Sequence, residues 1–316
     1  MRVRVLDLDG SVMAQPELLR RCVTSVHDLR RWGPRIRLSC RFRCFFRFQA
    51  ALEKTLICEP AIAPYVTFYG SGDFHHVTLA LLRRIRTPFN LLVVDNHPDW
   101  MRGVPVLHCG TWLHHAAQLP QVRRVFHVGG DVDFDNAYRW LAPWAQLANE
   151  KIKVMPAIRR YTKGKWTGIR HEPLRPDRQT SAVSHRVLKL LRNDLDNLAR
   201  WPLYVSLDKD VLTAADAVVN WDSGHLRTQE VEAVLQGFFT ASHGNLIGMD
   251  VTGDWSPVNV RGLYRRYLDR VEHPVMKVDS RAAARRNEDL NLRLLSFVLD
   301  RTSSARRFGA ERTTVA

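Results

Sequence analysis

Short blocks of aliphatic and β-branched residues recur along the chain, and each ends abruptly in polar or turn-forming residues. They are Arg2–Leu6, Tyr65–Tyr69, Asn90–Val94, Arg124–Val128, Lys151–Met155, Leu203–Leu207 and Asn245–Met249. Blocks of about five residues without inside–outside alternation fit strands buried on both faces of a parallel sheet. Between them lie longer stretches with helical period: Val77–Arg86, Ser184–Ala199 and Thr228–Phe239, the last opening on Thr228 as N-cap with glutamates in its first turn. The alternation predicts a three-layer α/β/α protein with a mostly parallel central sheet. Tyr161–Ser184, rich in charge, Gly and Pro, predicts a long surface loop or insertion. Thr302–Ala316 is polar and basic without apolar period. No solenoid-length repeat or low-complexity linker divides the chain, so residues 1–302 are expected to form one domain and 303–316 a disordered basic tail.

Composition narrows the class. With 316 residues, 45% of them hydrophobic and 25% charged, the chain can bury a sizeable core and lacks a disorder signature. No apolar stretch is long enough for a bilayer crossing. Met1–Met13 carries arginines and aspartates inside a strand-like run, so neither a membrane span nor a signal peptide is expected. The odd cysteine count, 5, lacks paired zinc-site spacing and fits a reducing cytoplasm. A formal net charge of +15 favours anionic partners. Its densest run, Arg30–Arg47, interleaves arginines with Trp32, Phe42, Phe45, Phe46 and Phe48, a mixture that can stack on nucleic-acid bases. Arginines on the outer face of a helix with inward aromatics are the commoner arrangement, so nucleic acid is a minor expectation.

Ligands in open α/β sheets collect at the carboxyl ends of the strands. There the block Leu91–Val94 runs into Asp95-Asn96-His97-Pro98-Asp99, ligand-type residues at two-residue spacing on one face of an extended chain. The alternative is a solvated turn, since Asn, Asp and Pro all form turns. The block Leu203–Leu207 ends in Asp208-Lys209-Asp210, with Lys209 turned to the opposite face; its plain alternative is a salt bridge from Lys209 to a neighbour. The coincidence favours a cation, because clustered buried carboxylates are costly without one. A third strand end, Gly70-Ser71-Gly72-Asp73-Phe74-His75-His76, brings a histidine to the same rim, as a ligand or as a cap or packing residue.

These segments resemble the arginase and agmatinase superfamily, the ureohydrolases, which show a Gly-Gly-Asp-His turn, an Asp-Ala-His-x-Asp strand end and a Ser-x-Asp-x-Asp strand end in that order. Asp95–Asp99 and Ser206–Asp210 match at every ligand position. In the first motif Phe74 intrudes, and His75-His76-Val77-Thr78-Leu79 continues as the family's helix start does. His75 is therefore the expected ligand and His76 the alternative. The resemblance implies an arginase-like fold and two Mn²⁺ ions: Asp95 and Asp208 bridge, His97 and Asp210 complete one ion, and His75 and Asp99 the other. Such a pair activates a shared hydroxide for C–N hydrolysis of a guanidino, amidine or related amide compound.

The family likeness also implies His108, in Leu107-His108-Cys109-Gly110-Thr111, as a proton shuttle, and Asp254, after Gly248-Met249-Asp250-Val251, as the partner of a guanidinium group. The Asp254 match is displaced by one residue. Counterparts of the Gly-Thr-Pro loop and of the loop that reads an amino-acid carboxylate are missing; after the last ligand strand stands Asn220-Trp221-Asp222-Ser223-Gly224-His225-Leu226. Gly129-Gly130-Asp131 comes after the second motif and reads as a strand-end turn, and Asp7-Leu8-Asp9-Gly10 as a first strand end. The partner expected is a small molecule, with a homo-oligomer possible. Competing functions are a one-zinc deacetylase on the same fold, kept open by His75-His76 and His114-His115, and a metal-stabilised nucleic-acid-binding protein.

Overall fold

Parallel pairing satisfies the backbone of each aliphatic block while burying both of its faces. The computed structural model describes residues 1–59, 64–102, 105–129, 137–157, 174, 183–274 and 276–313. Its strands are β1 Arg2–Asp7, β2 Ser25–Asp28, β3 Ser39–Cys40, β4 Tyr65–Phe68, β5 Phe89–Val94, β6 Leu107–His108, β7 Val122–Gly129, β8 Ile152–Pro156, β9 Leu203–Asp208 and β10 Leu246–Thr252. The helices are α1 Pro16–Arg21, α2 Gly33–Ile36, α3 Phe42–Thr55, α4 Val77–Leu82, α5 Trp112–Ala117, α6 Trp144–Ala148, α7 Val183–Leu191, α8 Leu195–Arg200, α9 Thr228–Ala241, α10 Leu263–Glu272 and α11 Ser280–Thr313.

An 8-stranded sheet runs β2-β1-β4-β10-β9-β5-β7-β8. Every pairing in it is parallel. Alternate residues of β5 feed two separate cores. Leu91 and Val93 pack with Phe45 and Phe48 of α3 and Trp112 of α5, whereas Leu92 and Val94 pack with Val187 of α7, Phe238 of α9 and Leu294 of α11. The result is the expected three-layer α/β/α arrangement. Strands β4, β10, β9 and β5 are neighbours at its centre, so the residues that follow them emerge side by side at one rim.

Several local expectations change. Edge strand β2 has no aliphatic block, because its residues alternate between half-buried and exposed. Glu59 holds it instead: Oε1 accepts from Ser25 Oγ at 3.0 Å and contacts His27 Nε2 at 2.8 Å, while Oε2 accepts from Arg4 Nη1 of β1 at 2.5 Å. The helix expected over Ser184–Ala199 is broken into α7 and α8 by a tight turn at Arg192–Asp194. There the buried Asp194 carboxylate is engaged by Arg124 and Lys153. Thr228 is not the cap of α9. It occupies the first turn, donating its hydroxyl to Asp216 at 2.9 Å, and the Arg227 N–H is satisfied by the Glu230 carboxylate at 2.8 Å.

The Arg30–Arg47 run folds as α2, β3 and the start of α3, with Phe45 and Phe48 inward and Arg43 and Arg47 outward. Helix α11 continues to Thr313, through most of the stretch expected to be a disordered tail. Ala and Arg are good helix formers, so an apolar period is not required to extend a helix already docked upstream. Most of Tyr161–Ser184, and Gly130-Asp131, lie outside the described residues. No described helix is long and apolar enough to cross a membrane.

Candidate metal centre

Register sets the site. Val94 of β5 pairs with Leu207 of β9, so Asp95 and Asp208 leave adjacent strands one residue later, at the same height. The Asp95 carboxylate folds back to accept the His97 N–H at 2.7 Å, and Asp208 likewise accepts the Asp210 N–H at 3.1 Å. These two turns aim the second ligand of each motif back over the rim. Asp99 sits at φ +52°, a left-handed conformation that Asp tolerates better than most side chains. The Trp112 indole N–H reaches its Oδ2 at 2.7 Å, and its carbonyl accepts from Leu113 at 2.9 Å. The start of α5 thereby holds Asp99 in place.

His75 follows the turn Gly72–Phe74 after β4. Gly72 is required by close approach, since a Cβ there would lie 2.6 Å from Asp208 Oδ2. Gly70, at φ +97°, leaves room for the Asp9 carboxylate, which accepts the Ser71 N–H at 3.1 Å. The first strand end thus acts as a brace for the third.

The imidazole of His75 is pinned from behind. Its Nε2 lies 2.9 Å from Ser206 Oγ, which donates to Asp250 Oδ1 at 2.7 Å; Asp250 also receives Thr78 and Tyr204 hydroxyls. With the Ser206 hydrogen committed to Asp250, His75 Nε2–H is the donor to Ser206. Nδ1 then points toward Asp95 Oδ2 at 3.0 Å, Asp99 Oδ2 at 2.9 Å and Asp208 Oδ2 at 3.6 Å. A lone pair facing carboxylate oxygens at that range needs a positive charge between them, either a proton or a cation. On the other side of Asp95, His97 Nδ1 lies 2.8 Å from Asp210 Oδ2.

Two groups of ligand atoms result, His75–Asp95–Asp99 and Asp95–His97–Asp210, each with its atoms within 4.8 Å of one another and Asp95 common to both. Asp95, Asp99, Asp208 and Asp210 are all buried. The nearby Lys209 and Arg37 are committed elsewhere, Lys209 to Asp254 at 2.6 Å and Arg37 to Asp73 at 2.6 Å. Burial and the Asp95 charge raise Asp99 to about 7, and burial with the Asp210 charge pushes Asp208 well above the usual carboxylate range. Asp210 is raised by burial and Asp95. Asp95 itself is lowered, its burial outweighed by the hydrogen bond from His75. Against its own burial, His97 is raised to about 10 by Asp210. This crowding of negative charge, with imidazoles as its close counterparts among the described residues, is the donor chemistry of a divalent-cation site.

The other expected residues divide. His76 is fully buried and belongs to neither ligand group. Burial lowers it to about 3, so it packs as a neutral ring. His108 lines the cavity beside the ligands, where burial lowers it to about 4. Its Nδ1 accepts the Gly110 N–H at 3.0 Å. Asp254 is not on the cavity wall. It is buried, accepting from Gln15 at 2.8 Å and paired with the fully buried Lys209. Rather than facing the cavity as a guanidinium partner would, the Asp254 carboxylate pairs with Lys209, the residue that strand alternation turns away from the rim.

The cavity itself has a volume of about 360 Å³, within the range of small-molecule sites. Sequence reading missed much of its wall. Trp100 and Met101 directly follow the second motif, and position next to ligand-type residues was a usable signal for them; Trp221 lies in the Asn220–Leu226 loop, where the chain departs from the family pattern. Tyr264 and Glu272 arrive on α10, with no local signal at all. Also missed was the buried network of Asp73, which accepts from Arg37 and Trp221 Nε1 and contacts His273 Nε2 at 2.8 Å.

No family model matches the chain. An uncharacterized protein of Thermotoga maritima is 28% identical over 193 residues, 61% of this chain, and the match spans 59% of that curated relative's length. Among solved structures, agmatine ureohydrolase of Thermoplasma volcanium is similar with TM-score 0.52 at 12% identity, covering 97% of this chain and 91% of that one. Formimidoylglutamase from Bacillus subtilis gives 0.55 at 11% identity over 95% and 87% of the two chains. Arginase from Bacillus subtilis gives 0.52 at 14% identity over 92% and 96%. Similarity at such identities is one of architecture, and by that architecture this chain has the fold of the arginase/agmatinase ureohydrolases.

Proposed function

We propose that this protein is a metal-dependent hydrolase that cleaves a C–N bond in a guanidino, amidine or related amide compound. The observation that carries the proposal is the pair of ligand groups sharing Asp95 at the floor of a small-molecule cavity. His75 and Asp99 would hold one ion and His97 and Asp210 the other, with Asp95 and Asp208 between them. Carboxylate-rich donor sets with one imidazole per ion suit Mn²⁺ better than structural zinc. When bound, such a pair supplies an activated water and positive charge at the reacting carbon.

The chain's own groups do the rest. Ser206 and Asp250 fix the ring of His75, so that its Nδ1 is directed at the Asp95 and Asp99 carboxylates, where it would join them in holding an ion. Trp100, Met101 and Trp221 surround the reacting centre with apolar surface that limits bulk water. His108, lowered to about 4 by burial, is neutral at neutral pH, and with Nδ1 accepting from Gly110 its proton sits on Nε2. To carry a proton to the leaving nitrogen it must free Nδ1 from the Gly110 N–H, so shuttling requires that loop contact to open.

The test is a screen of guanidino, ureido and N-acyl compounds on manganese-loaded protein, scoring release of urea, ammonia or acetate, with metal content measured on the same sample. Two manganese ions per chain and release of urea or ammonia are expected. One tightly bound zinc per chain with acetate as the product would replace this proposal with the deacetylase reading.

A further inference from the structure

We infer that Cys40 and Cys44 form a peroxide-sensitive dithiol: hydrogen peroxide oxidises Cys44, Cys40 resolves it, and the two sulfurs join in a disulfide that thiol reductants reopen. The inference is independent of the hydrolase proposal.

The junction between β3 and α3 assembles the pair. Cys40 ends β3, Arg41 caps the helix in an extended conformation, and Cys44 follows in the first turn, where its N–H donates to the Arg41 carbonyl at 2.8 Å. A side chain just before a helix cap can fold over the first turn, and here it meets its counterpart, so that the two thiols are hydrogen-bonded to each other. Their surroundings differ. Cys40 is buried, whereas Cys44 is half-buried, with its Sγ 3.9 Å from the Arg35 carbonyl on the exposed side.

A cation is built into the same corner. Arg265 of α10 donates through Nη1 to the Arg35 carbonyl that Cys44 touches and, at 3.4 Å, to the Ser39 carbonyl beside Cys40. The hydrogen bond from Cys40, with the charges of Arg265, Arg35 and Arg47, brings the Cys44 thiol down to about 6 against its burial. Donating that bond, together with burial, pushes Cys40 up. The amide dipoles at the start of a 14-residue helix add to the preference for a thiolate at Cys44. Cys44 is thus the attacking sulfur and Cys40 the resolving one, an accessible thiolate beside a partner that can trap its oxidised form.

The Cys44 thiolate attacks one peroxide oxygen and the O–O bond breaks. Sulfenic acid forms on Cys44, and the departing hydroxide takes up the proton that Cys44 had lost to solvent, giving water. The Cys40 sulfur then attacks the Cys44 sulfur; its proton leaves with the displaced hydroxide as a second water. Two thiols are oxidised to one disulfide and one peroxide is reduced. Because β3 pairs with β6, with Cys40 opposite Leu107 and Ser39 opposite His108, the dithiol adjoins the strand that carries His108 into the cavity wall.

The test exposes the full-length protein to hydrogen peroxide, blocks the remaining thiols with iodoacetamide and digests with trypsin without reduction. Cleavage after Arg37, Arg41, Arg43 and Arg47 leaves Cys40 and Cys44 on separate peptides, 38–41 and 44–47, so a disulfide between them appears in the mass spectrum as a linked species. That species is expected in the wild type and should vanish on treatment with dithiothreitol. Before oxidation, iodoacetamide at neutral pH should label Cys44 about tenfold faster than the exposed Cys58, which serves as internal reference. Arg265→Gln should slow Cys44 labelling several-fold. Cys40→Ser should stop at the Cys44 sulfenic acid, trapped as a dimedone adduct, and circular dichroism verifies that both variants are folded. The inference is overturned if the wild type keeps both thiols after peroxide, links Cys44 to a different cysteine, or labels Cys44 no faster than Cys58.

Discussion

At the level of single residues, the site is a set of buried charges whose partners decide their roles. Asp208 and Asp254 are both buried acidic residues at the ends of central strands, yet only Asp208 faces the ligand cluster. Asp208→Ala should abolish both manganese binding and turnover, read by metal analysis and product release; near-normal activity in that variant would remove Asp208 from the metal centre. Asp254→Ala should act differently, by leaving Lys209 buried without its counter-charge. Breaking such a pair costs about 3–5 kcal/mol, so urea unfolding should show a large loss of stability. Substrate discrimination should persist, and a selective rise in KM for cationic substrates at full stability would restore Asp254 as a binding residue. For His108→Ala, loss of proton transfer predicts a fall in kcat of about 10²–10⁴-fold with metal content unchanged.

Elements matter here through how closely their ends approach. The turn after β4 must pass within contact distance of Asp208, and only the missing Cβ of Gly72 allows it. Gly72→Ala is expected to displace the Asp208 carboxylate and weaken manganese affinity about tenfold or more, measurable by calorimetric titration. Overall secondary structure should be retained in circular dichroism. Edge strand β2 depends on Glu59 instead of an apolar face. Burial would raise the Glu59 carboxyl, but the hydrogen bond from His27 and the charge of Arg4 hold it below its ordinary value. A carboxylate lowered in the folded state stabilises above the unfolded pKa, about 4.3, and that contribution disappears as pH falls through the folded value. Wild type and Glu59→Gln should therefore differ in urea midpoint at pH 6 and converge below about pH 4. A difference that persists in acid would show that Glu59 acts through packing rather than charge.

For the molecule as a whole, the sheet brings together four buried carboxylates that repel one another, so the folded state is expected to be stabilised by divalent cations. Ligand present at about 100 times its Kd adds about 2.7 kcal/mol to a folded state that alone binds it. Calorimetric scans with and without manganese should show Tm several degrees higher in its presence, and a chelator should reverse the gain. Identical transitions in both conditions would mean that the cluster does not bind the ion. The exposed arginines of α3 leave a surface attractive to polyanions, but the aromatics interleaved with them, Phe46 excepted, are largely turned inward. A shallow dependence of RNA affinity on salt is expected, in contrast to the steep slope of a protein that neutralises many phosphates.

What the chain determined by itself was local: continuous aliphatic blocks specify buried parallel strands, and the carboxylates and imidazole that follow Val94 and Leu207 specify a rim of metal-ligand-type side chains. Both are readable because side-chain direction along an extended strand depends on spacing alone. The turning of His75 rather than His76 toward the carboxylate cluster, the burial of Asp254 against Lys209, and the arrival of Glu272 and Tyr264 at the cavity were decided by tertiary structure. Each depends on which distant segment occupies the space opposite, and neither spacing nor composition encodes that. The edge strand held by Glu59 belongs with these, since an ion pair across 32 residues from His27 leaves no periodic trace in the sequence.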